Sequence, residues 1–238
     1  RHFSGIQIFQ ENLKIYFSVE GVYTQVEVFH YVHYHQKWHV IELKILNNKI
    51  SLILIWLIHI SGALGLLYYD IIFFAALTPI NLYLTALLLI INQKKPGFRE
   101  LLGIFLIFSV GIFVEFLGVN YSLIFGNYEY GQNMGPKFLG VPFLIGINWI
   151  IITLICGGIA HNLWIKNKYF SIILASVLMV FMDVFIEPLA PILDFWEFKD
   201  NIVPASNYVG WFFTGIITQT IYYQSFKNKE FNFSINLY

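Results

Sequence analysis

Three acidic residues stand inside long apolar runs of this 238-residue chain: Glu115, Asp183 and Glu187. An ionisable group inside a membrane helix costs roughly 2.5–3.5 kcal/mol on insertion scales, so such residues are candidates for function. Asp183 and Glu187 are four residues apart and therefore share one helix face. Two carboxyl groups so close in a low-dielectric medium are costly to ionise together, so at least one is expected to keep its proton near neutral pH. The pattern predicts a membrane-buried acid.

A structural interpretation of the same carboxyl groups stays open. Each could tie two helices together through hydrogen bonds, and this applies above all to Glu187, which lies close to the predicted membrane interface. Asp183 lies deeper among apolar residues, where the cost of burial favours a function.

The depth of these residues can be estimated at 1.5 Å per helical residue. This rise places Glu115 and Asp183 each about 21 Å from the cytoplasmic end of their helices, and Asn148 about 24 Å. The aromatic residues predicted at the same end are Phe125, Tyr128, Tyr130, Trp149, Trp196, Tyr208 and Trp211. Belts of Trp and Tyr are normal at membrane interfaces. Their coincidence with buried carboxyl groups suggests ring faces that stabilise a carbocation.

The composition of the chain indicates that the elements that position these groups are membrane-spanning helices. The chain is 58% hydrophobic and only 12% charged, whereas soluble domains carry about 25% charged residues. Apolar runs near the ~20 residues that cross a bilayer predict an all-α, polytopic helical bundle with about six transmembrane helices. The predicted spans are 50–69, 71–91, 101–120, 139–164, 169–190 and 207–226.

Charge asymmetry predicts the orientation of the bundle. A six-span topology places nine basic residues on one side, namely Lys44, Lys49, Lys94, Lys95, Arg99, Lys166, Lys168, Lys227 and Lys229, and only Lys137 and Lys199 on the other. The positive-inside rule then predicts that both termini are cytoplasmic in a multi-pass protein of the cell membrane. The predicted organisation is a polar N-terminal extension (1–48), an integral-membrane domain (49–227) and a cytoplasmic tail (228–238).

Several classes of function are disfavoured. Fourteen Lys and Arg residues balance fourteen Asp and Glu residues, so no basic face emerges to bind nucleic acid. Cys156 is the one cysteine and allows neither an intrachain disulfide nor a cysteine metal site. Of seven histidines, only His59 and His161 lie in predicted spans, too few for the histidine boxes of membrane di-iron enzymes.

An ordered set of motifs extends from about residue 50 to residue 226. It comprises His59-Ile-Ser-Gly62 with Gly65, Thr78-Pro79-Ile80-Asn81-Leu82, Glu115-Phe-Leu-Gly118-Val119, Gly126-Asn127-Tyr128-Glu129-Tyr130-Gly131, Gly140-Val141-Pro142, Asn148-Trp149, Asp183-Val-Phe-Ile-Glu187-Pro188, Asp194-Phe195-Trp196, and Pro204 with Asn207-Tyr208-Val209-Gly210-Trp211. Together these motifs resemble the integral-membrane carotenoid biosynthesis proteins, which include carotenoid 1,2-hydratases of the bisanhydrobacterioruberin hydratase type. Two positions depart from the pattern, since Glu187 stands where many members have Asp and Glu197-Phe198 follows Trp196 where a second Trp is frequent.

The resemblance implies an enzyme that adds water across the terminal C1,C2 double bond of the ψ-end of an acyclic or monocyclic carotenoid. Such chemistry needs a proton donor for C2, stabilisation of a tertiary cation at C1 and a positioned water molecule, but no metal and no redox cofactor. The implied partners are the carotenoid substrate, the lipid bilayer and other carotenoid enzymes, such as a glycosyltransferase or a desaturase.

The resemblance also implies roles for individual residues. Asp183 is the expected general acid, and Glu115 orients it or receives the proton from water, although the reverse assignment is almost equally favoured. Glu187 is the third expected catalytic carboxyl. The expected substrate-binding residues are Asn148 and Asn207 around the water, Trp149, Tyr208 and Trp211 facing the cation, and Tyr128, Asn81 and His59.

Two alternatives remain open. A membrane carotenoid cyclase would use the same protonation step but quench the cation by ring closure, and the Pro-x-Glu-Glu type of motif of small cyclases is missing from the sequence. A non-catalytic transporter or scaffold is the other alternative. The halves of the chain show no internal repeat, and the acids share one layer instead of following a path.

Overall fold

The computed structural model describes residues 49–92, 97–163 and 167–226, together with short strands between residues 8 and 24. The chain forms two compact units, Arg1–Ile50 and Ser51–Tyr238. In the first unit, two antiparallel hairpins pair β1 (Ile8–Phe9) with β2 (Lys14–Ile15) and β3 (Phe17–Val19) with β4 (Val22–Thr24). The rest of the predicted extension 1–48 and the predicted tail 228–238 lie outside the described residues.

The described residues from Lys49 onward are mostly helical. They form α1 (Lys49–Tyr68), α2 (Ile71–Ala76), α3 (Thr78–Ile91), α4 (Phe98–Tyr121), α5 (Phe143–Asn162), α6 (Lys168–Ile186) and α7 (Ala205–Phe226). Four of these helices, α1, α4, α5 and α6, are long and apolar enough to cross a membrane. The prediction of a mostly helical chain is therefore confirmed, with four candidate membrane-spanning helices among the described residues.

The prediction of six spans is not confirmed among the described residues. The predicted span 71–91 is wrong as a single helix, because the chain breaks at Leu77 between α2 and α3. Pro79 lies in the first turn of α3, where its missing N–H is tolerated, whereas inside a continuous helix it would remove a hydrogen bond. With 14 residues, α3 is shorter than the ~20 residues of a typical span.

The last predicted span, 207–226, corresponds to α7, which is 22 residues long. Its composition is too polar to place it among the candidate membrane spans of the described residues. Four of its polar side chains are buried inside the bundle, namely Asn207, Thr214, Thr218 and Gln219. The Gln219 amide, for example, donates a hydrogen bond to the Thr153 carbonyl oxygen on α5 at 3.1 Å.

The centre of the bundle is α5, which contacts α3, α4, α6 and α7. Its Trp149 and Leu154 side chains are fully buried. The outward faces of α4 and α6 instead expose large apolar side chains, such as Phe105, Phe113 and Phe181. Apolar surface of this extent is typical of a membrane-facing protein.

The all-α prediction missed two short strand pairs between the helices. They pair β5 (Tyr128–Tyr130) with β8 (Trp196–Phe198) and β6 (Lys137–Phe138) with β7 (Val141–Pro142), both antiparallel. Strands of two or three residues are too short to show a period-two pattern in the sequence. They lie between glycine and proline residues that predict turns.

The β5–β8 pair brings aromatic side chains to one face. Tyr128 lies opposite Phe198, and Tyr130 lies opposite Trp196. Tyr128, Tyr130 and Phe198 are buried, whereas the intervening Glu129 is exposed. Alternate residues of a strand point to opposite faces, so the pair presents its rings to the bundle.

Gly131 allows the two connecting segments to approach closely at the end of β5. Its N–H donates to the Phe195 carbonyl oxygen at 2.8 Å, and a Cβ at this position would lie 2.2 Å from the Asp194 carbonyl oxygen. Only glycine fits such an approach. The contact holds the segment after α6 against the segment after α4.

Candidate active site

The three carboxyl groups singled out in the sequence lie at one end of the helix bundle. Glu115 is close to the C-terminal end of α4, Asp183 is close to the C-terminal end of α6, and Glu187 directly follows α6. The exposed fractions of Glu115, Asp183 and Glu187 are 3%, 2% and 5%, respectively. The β5–β8 strand pair lies at the same end, so it encloses the carboxyl groups.

Three hydrogen-bond donors converge on Glu115. Its Oε2 accepts from the Tyr128 hydroxyl at 2.5 Å and from the Tyr130 hydroxyl at 2.7 Å. Its Oε1 accepts from the Trp149 indole N–H at 3.0 Å. Glu115 is the hydrogen-bond acceptor in all three contacts, which suits a carboxylate because it has no hydrogen to donate.

Both tyrosines are held in the donating form. Burial, together with the charge of Glu115, raises the pKa of Tyr128 and of Tyr130 well above the ordinary tyrosine value. Burial removes water that would solvate a phenolate, and a nearby negative charge opposes a second one. Each hydroxyl therefore keeps its proton.

Two glycines of α4 make room for these donors. Gly111 and Gly118 lie four residues before and three residues after Glu115, on the same helix face. A Cβ at Gly111 would lie 2.6 Å from Cδ1 of Trp149, and a Cβ at Gly118 would lie 2.6 Å from the Tyr128 hydroxyl oxygen. The absence of side chains at both positions lets the indole and the phenol reach the carboxyl group.

A second cluster joins Asp183 and Glu187 through Asn207 of α7. The Asn207 Nδ2 donates to Asp183 Oδ2 and to Glu187 Oε1, each at 2.8 Å. The Trp196 indole N–H donates to Glu187 Oε2 at 3.1 Å. One amide therefore uses both of its hydrogens to hold two carboxyl groups side by side.

Asp183 and Glu187 form a coupled acid pair. The buried Oδ1 of Asp183 has no hydrogen-bond partner among the described residues, and Asn207 holds the other oxygen of this carboxyl beside Glu187. Two carboxyl groups held this close in a buried site are costly to ionise together, so one of them is expected to keep its proton. The pair is thus suited to store and transfer one proton.

All three carboxyl groups line one small cavity. Its volume of about 20 Å³ exceeds the ~10–15 Å³ that one water molecule needs. The Asn207 side chain and Ile145 also line it, together with the rings of Phe125, Tyr128, Tyr130, Trp196, Phe198 and Trp211. The cavity can hold about one water molecule, in contact with carboxyl groups and ring faces.

The structure brings most of the predicted site residues together. Six of them line this cavity, namely Glu115, Asp183, Glu187, Tyr128, Asn207 and Trp211. Trp149 contacts Glu115 and stacks on Trp211, with ring centroids 4.4 Å apart and an interplanar angle of 22°. Tyr208 lines a neighbouring cavity that shares Glu187 as a wall.

Three predicted residues lie elsewhere. Asn148 is half-buried and does not line the carboxyl cavity. It is adjacent to Trp149, and neighbouring helical residues point about 100° apart, so only one of the two faces Glu115. His59 and Asn81 line a separate cavity of about 350 Å³ formed by α1, α2 and α3.

The sequence interpretation missed the specific contacts of Tyr130, Trp196 and Phe198. Tyr130 and Trp196 were predicted only as part of an aromatic belt, and Phe198 only as a departure from the family pattern. The available signal was the spacing of Tyr128 and Tyr130 against Trp196 and Phe198. The members of each pair lie two positions apart, as residues on one face of a strand do, but strands of three residues are too short for this spacing to predict them.

The fold and the site define a helical membrane protein in which three buried carboxyl groups lie beside the aromatic rings of the β5–β8 strand pair. The family model described as carotenoid biosynthesis protein matches residues 68–236. The chain therefore belongs to the carotenoid biosynthesis protein family, which confirms the resemblance predicted from its motifs and gives the chain a role in carotenoid biosynthesis.

A similar protein supports the same assignment. The chain is 28% identical over 128 residues to the bisanhydrobacterioruberin hydratase of Haloarcula japonica. The matched region covers 49% of this chain and 41% of the relative, so the chain spans about two fifths of that protein. No solved structure matches the chain.

Proposed function

We propose that this protein is a multi-pass enzyme of the cell membrane, with both termini cytoplasmic, that hydrates the terminal C1,C2 double bond of an acyclic or monocyclic carotenoid ψ-end. The observation that carries the proposal is the cavity of about 20 Å³ lined by Glu115, Asp183 and Glu187. It offers a proton donor, a fixed negative charge and space for one water molecule. A hydration reaction needs these three components together.

The Asp183–Glu187 pair supplies the proton. An O–H bond of the pair breaks as the π electrons of the double bond form the new C2–H bond, which leaves a tertiary cation at C1. The oxygen of the enclosed water then forms the C1–O bond, and the proton that it loses returns to the carboxylate of the pair. The net change is the addition of one H₂O, with Asn207 keeping the two carboxyl groups together throughout.

Glu115 stabilises the cation in this scheme. A carboxyl group that is desolvated is a weak acid, whereas an alkene needs a strong one, so the cation must be stabilised as it forms. Glu115 accepts three hydrogen bonds and serves as a preorganised negative charge. The two roles expected for Glu115 were to orient Asp183 or to receive the proton from water, but its three hydrogen bonds come from Tyr128, Tyr130 and Trp149, so we propose that it acts through its charge instead. The ring of Trp196, which borders both the carboxyl cavity and the neighbouring cavity that Tyr208 lines, adds a cation–π contribution.

The test is expression in a lycopene-producing bacterial host, followed by chromatography and mass analysis of the carotenoids. The proposal expects a product heavier by one water per hydrated end group, and no such product from Asp183→Asn protein that accumulates in the membrane. A cyclised product of unchanged mass would establish the cyclase alternative. Unaltered carotenoids beside inserted protein would overturn the hydratase proposal in favour of transport or scaffolding.

A further inference from the structure

A larger cavity lies directly beside the one-water cavity. It has a volume of about 260 Å³. Glu187, Trp196 and Phe198 line both cavities. Glu187 is the one carboxyl group among the described residues that borders both, since Glu115 and Asp183 line the small cavity alone. This residue therefore separates a space for water from a space for something larger.

The shape and lining of the larger cavity suit a hydrocarbon. Apart from the shared wall, its lining residues are Val184, Pro188, Pro191, Asn201, Val203 and Tyr208. Four of these six are apolar. An apolar cavity of about 150 Å³ is known to accept benzene, so a cavity of about 260 Å³ accommodates a branched hydrocarbon end with more than six carbons.

One side of this cavity carries exposed apolar side chains. Val184 is 44% exposed, and the large apolar side chains of Leu189 and Ile192, which neighbour the lining residues in sequence, are also exposed. An apolar surface of this kind favours contact with lipid over contact with water. This apolar side is therefore the side from which a hydrocarbon is expected to approach the cavity.

We propose that the cavity lined by Val184, Pro191 and Val203 binds the terminal isoprenoid unit of the substrate, and that Glu187 is the carboxyl that touches it. This inference rests on the proposed function and refines it. Glu187 donates its proton to C2, and its O–H bond breaks as the C2–H bond forms. Asp183 is the second carboxyl group of the acid pair, and it lines only the small cavity. The proton that the attacking water releases returns to the Asp183–Glu187 pair.

The experiment fills the cavity and compares the result with a matched surface change. Val203→Trp adds bulk to a half-buried lining residue, whereas Ile202→Trp adds the same residue at the neighbouring position, which is 69% exposed and does not line the cavity. Both variants are made in the active protein and in Asp183→Asn protein, in the lycopene-producing host. Hydrated product and carotenoid retained per purified protein are measured.

The expected result for Val203→Trp is a loss of about tenfold or more in hydrated product and in retained carotenoid, because overpacking opposes occupation of the cavity. Ile202→Trp should retain both within about twofold. If Val203→Trp fails to accumulate in the membrane, Val184→Trp narrows the same cavity from α6. Equal product and equal retention for the filled-cavity variant and Ile202→Trp would overturn the inference.

Two further outcomes separate this inference from the proposed function. If the parent protein retains carotenoid but forms no hydrate, and Val203→Trp abolishes retention, the cavity is supported while the hydratase proposal fails. Gly62→Leu fills the separate cavity of about 350 Å³, because no atom lies within 4 Å of a Cβ built at Gly62. Loss of retention in Gly62→Leu but not in Val203→Trp would move the binding site there and overturn the inference.

Discussion

Replacing Glu115 by Gln removes a charge from the site with little change of shape. The Gln carbonyl oxygen can face the Trp149 indole, as Oε1 of Glu115 does. The amide NH₂ then faces Tyr128 and Tyr130, whose hydroxyls can rotate from donating to accepting. The three contacts of the buried side chain are thus preserved, and we expect Glu115→Gln protein to fold and insert.

The rate should fall because the cation loses its negative neighbour. A carboxylate and a cation about 6 Å apart attract each other by roughly 3 kcal/mol at an effective dielectric constant near 20. A loss of this size in the transition state slows the reaction about 100-fold. A group that transfers protons contributes on the same scale.

The assay is the amount of hydrated carotenoid per unit of inserted protein in the lycopene-producing host. Glu129→Gln is the matched control, since Glu129 lies in β5 between the two tyrosines but is exposed. It should leave the yield unchanged within about twofold. A loss below tenfold in Glu115→Gln would refute the electrostatic role and leave Glu115 as a packing residue.

Three more substitutions test the two clusters by the same assay. Asp183→Asn should lower hydrated product at least ~100-fold, the usual scale of acid–base catalysis, while the protein remains inserted; full activity would remove Asp183 from the mechanism. Gly118→Ala should displace the Tyr128 hydroxyl from Glu115. Loss of a hydrogen bond to a charged group costs roughly 1.5–3 kcal/mol, so hydrated product should fall about tenfold or more. An unchanged yield would show that this bond is dispensable. Trp149→Phe keeps an aromatic ring but removes the indole N–H that donates to Glu115, so a similar decrease in hydrated product is expected. A larger decrease, together with a lower melting temperature of the protein, would indicate a packing role instead.

Much of the architecture could be predicted from local sequence. Long apolar runs lie where α1, α4, α5 and α6 form, since a run of about 20 apolar residues satisfies its own backbone hydrogen bonds as a helix in lipid. The break between α2 and α3 at Leu77 was missed because the residues on both sides of it are apolar, so hydropathy shows one continuous run. Pro79 was the one local sign of a new helix start. The polar interior face of α7 was missed for a different reason, since a buried Gln219 is stable only through a partner on another helix.

The sequence by itself determined which groups can do chemistry and roughly where they lie. Glu115, Asp183 and Glu187 follow from residue type, helix rise and a spacing of four, and all of these are local properties. Tertiary structure alone decided that Asn207 bridges the acid pair and that Trp149 reaches Glu115 from 34 positions along the chain. It also decided that one carboxyl group borders two cavities. Contacts of this kind depend on how helix ends and short strands far apart in sequence pack, because rotation about a helix axis and strand register are set by neighbours and not by the local pattern.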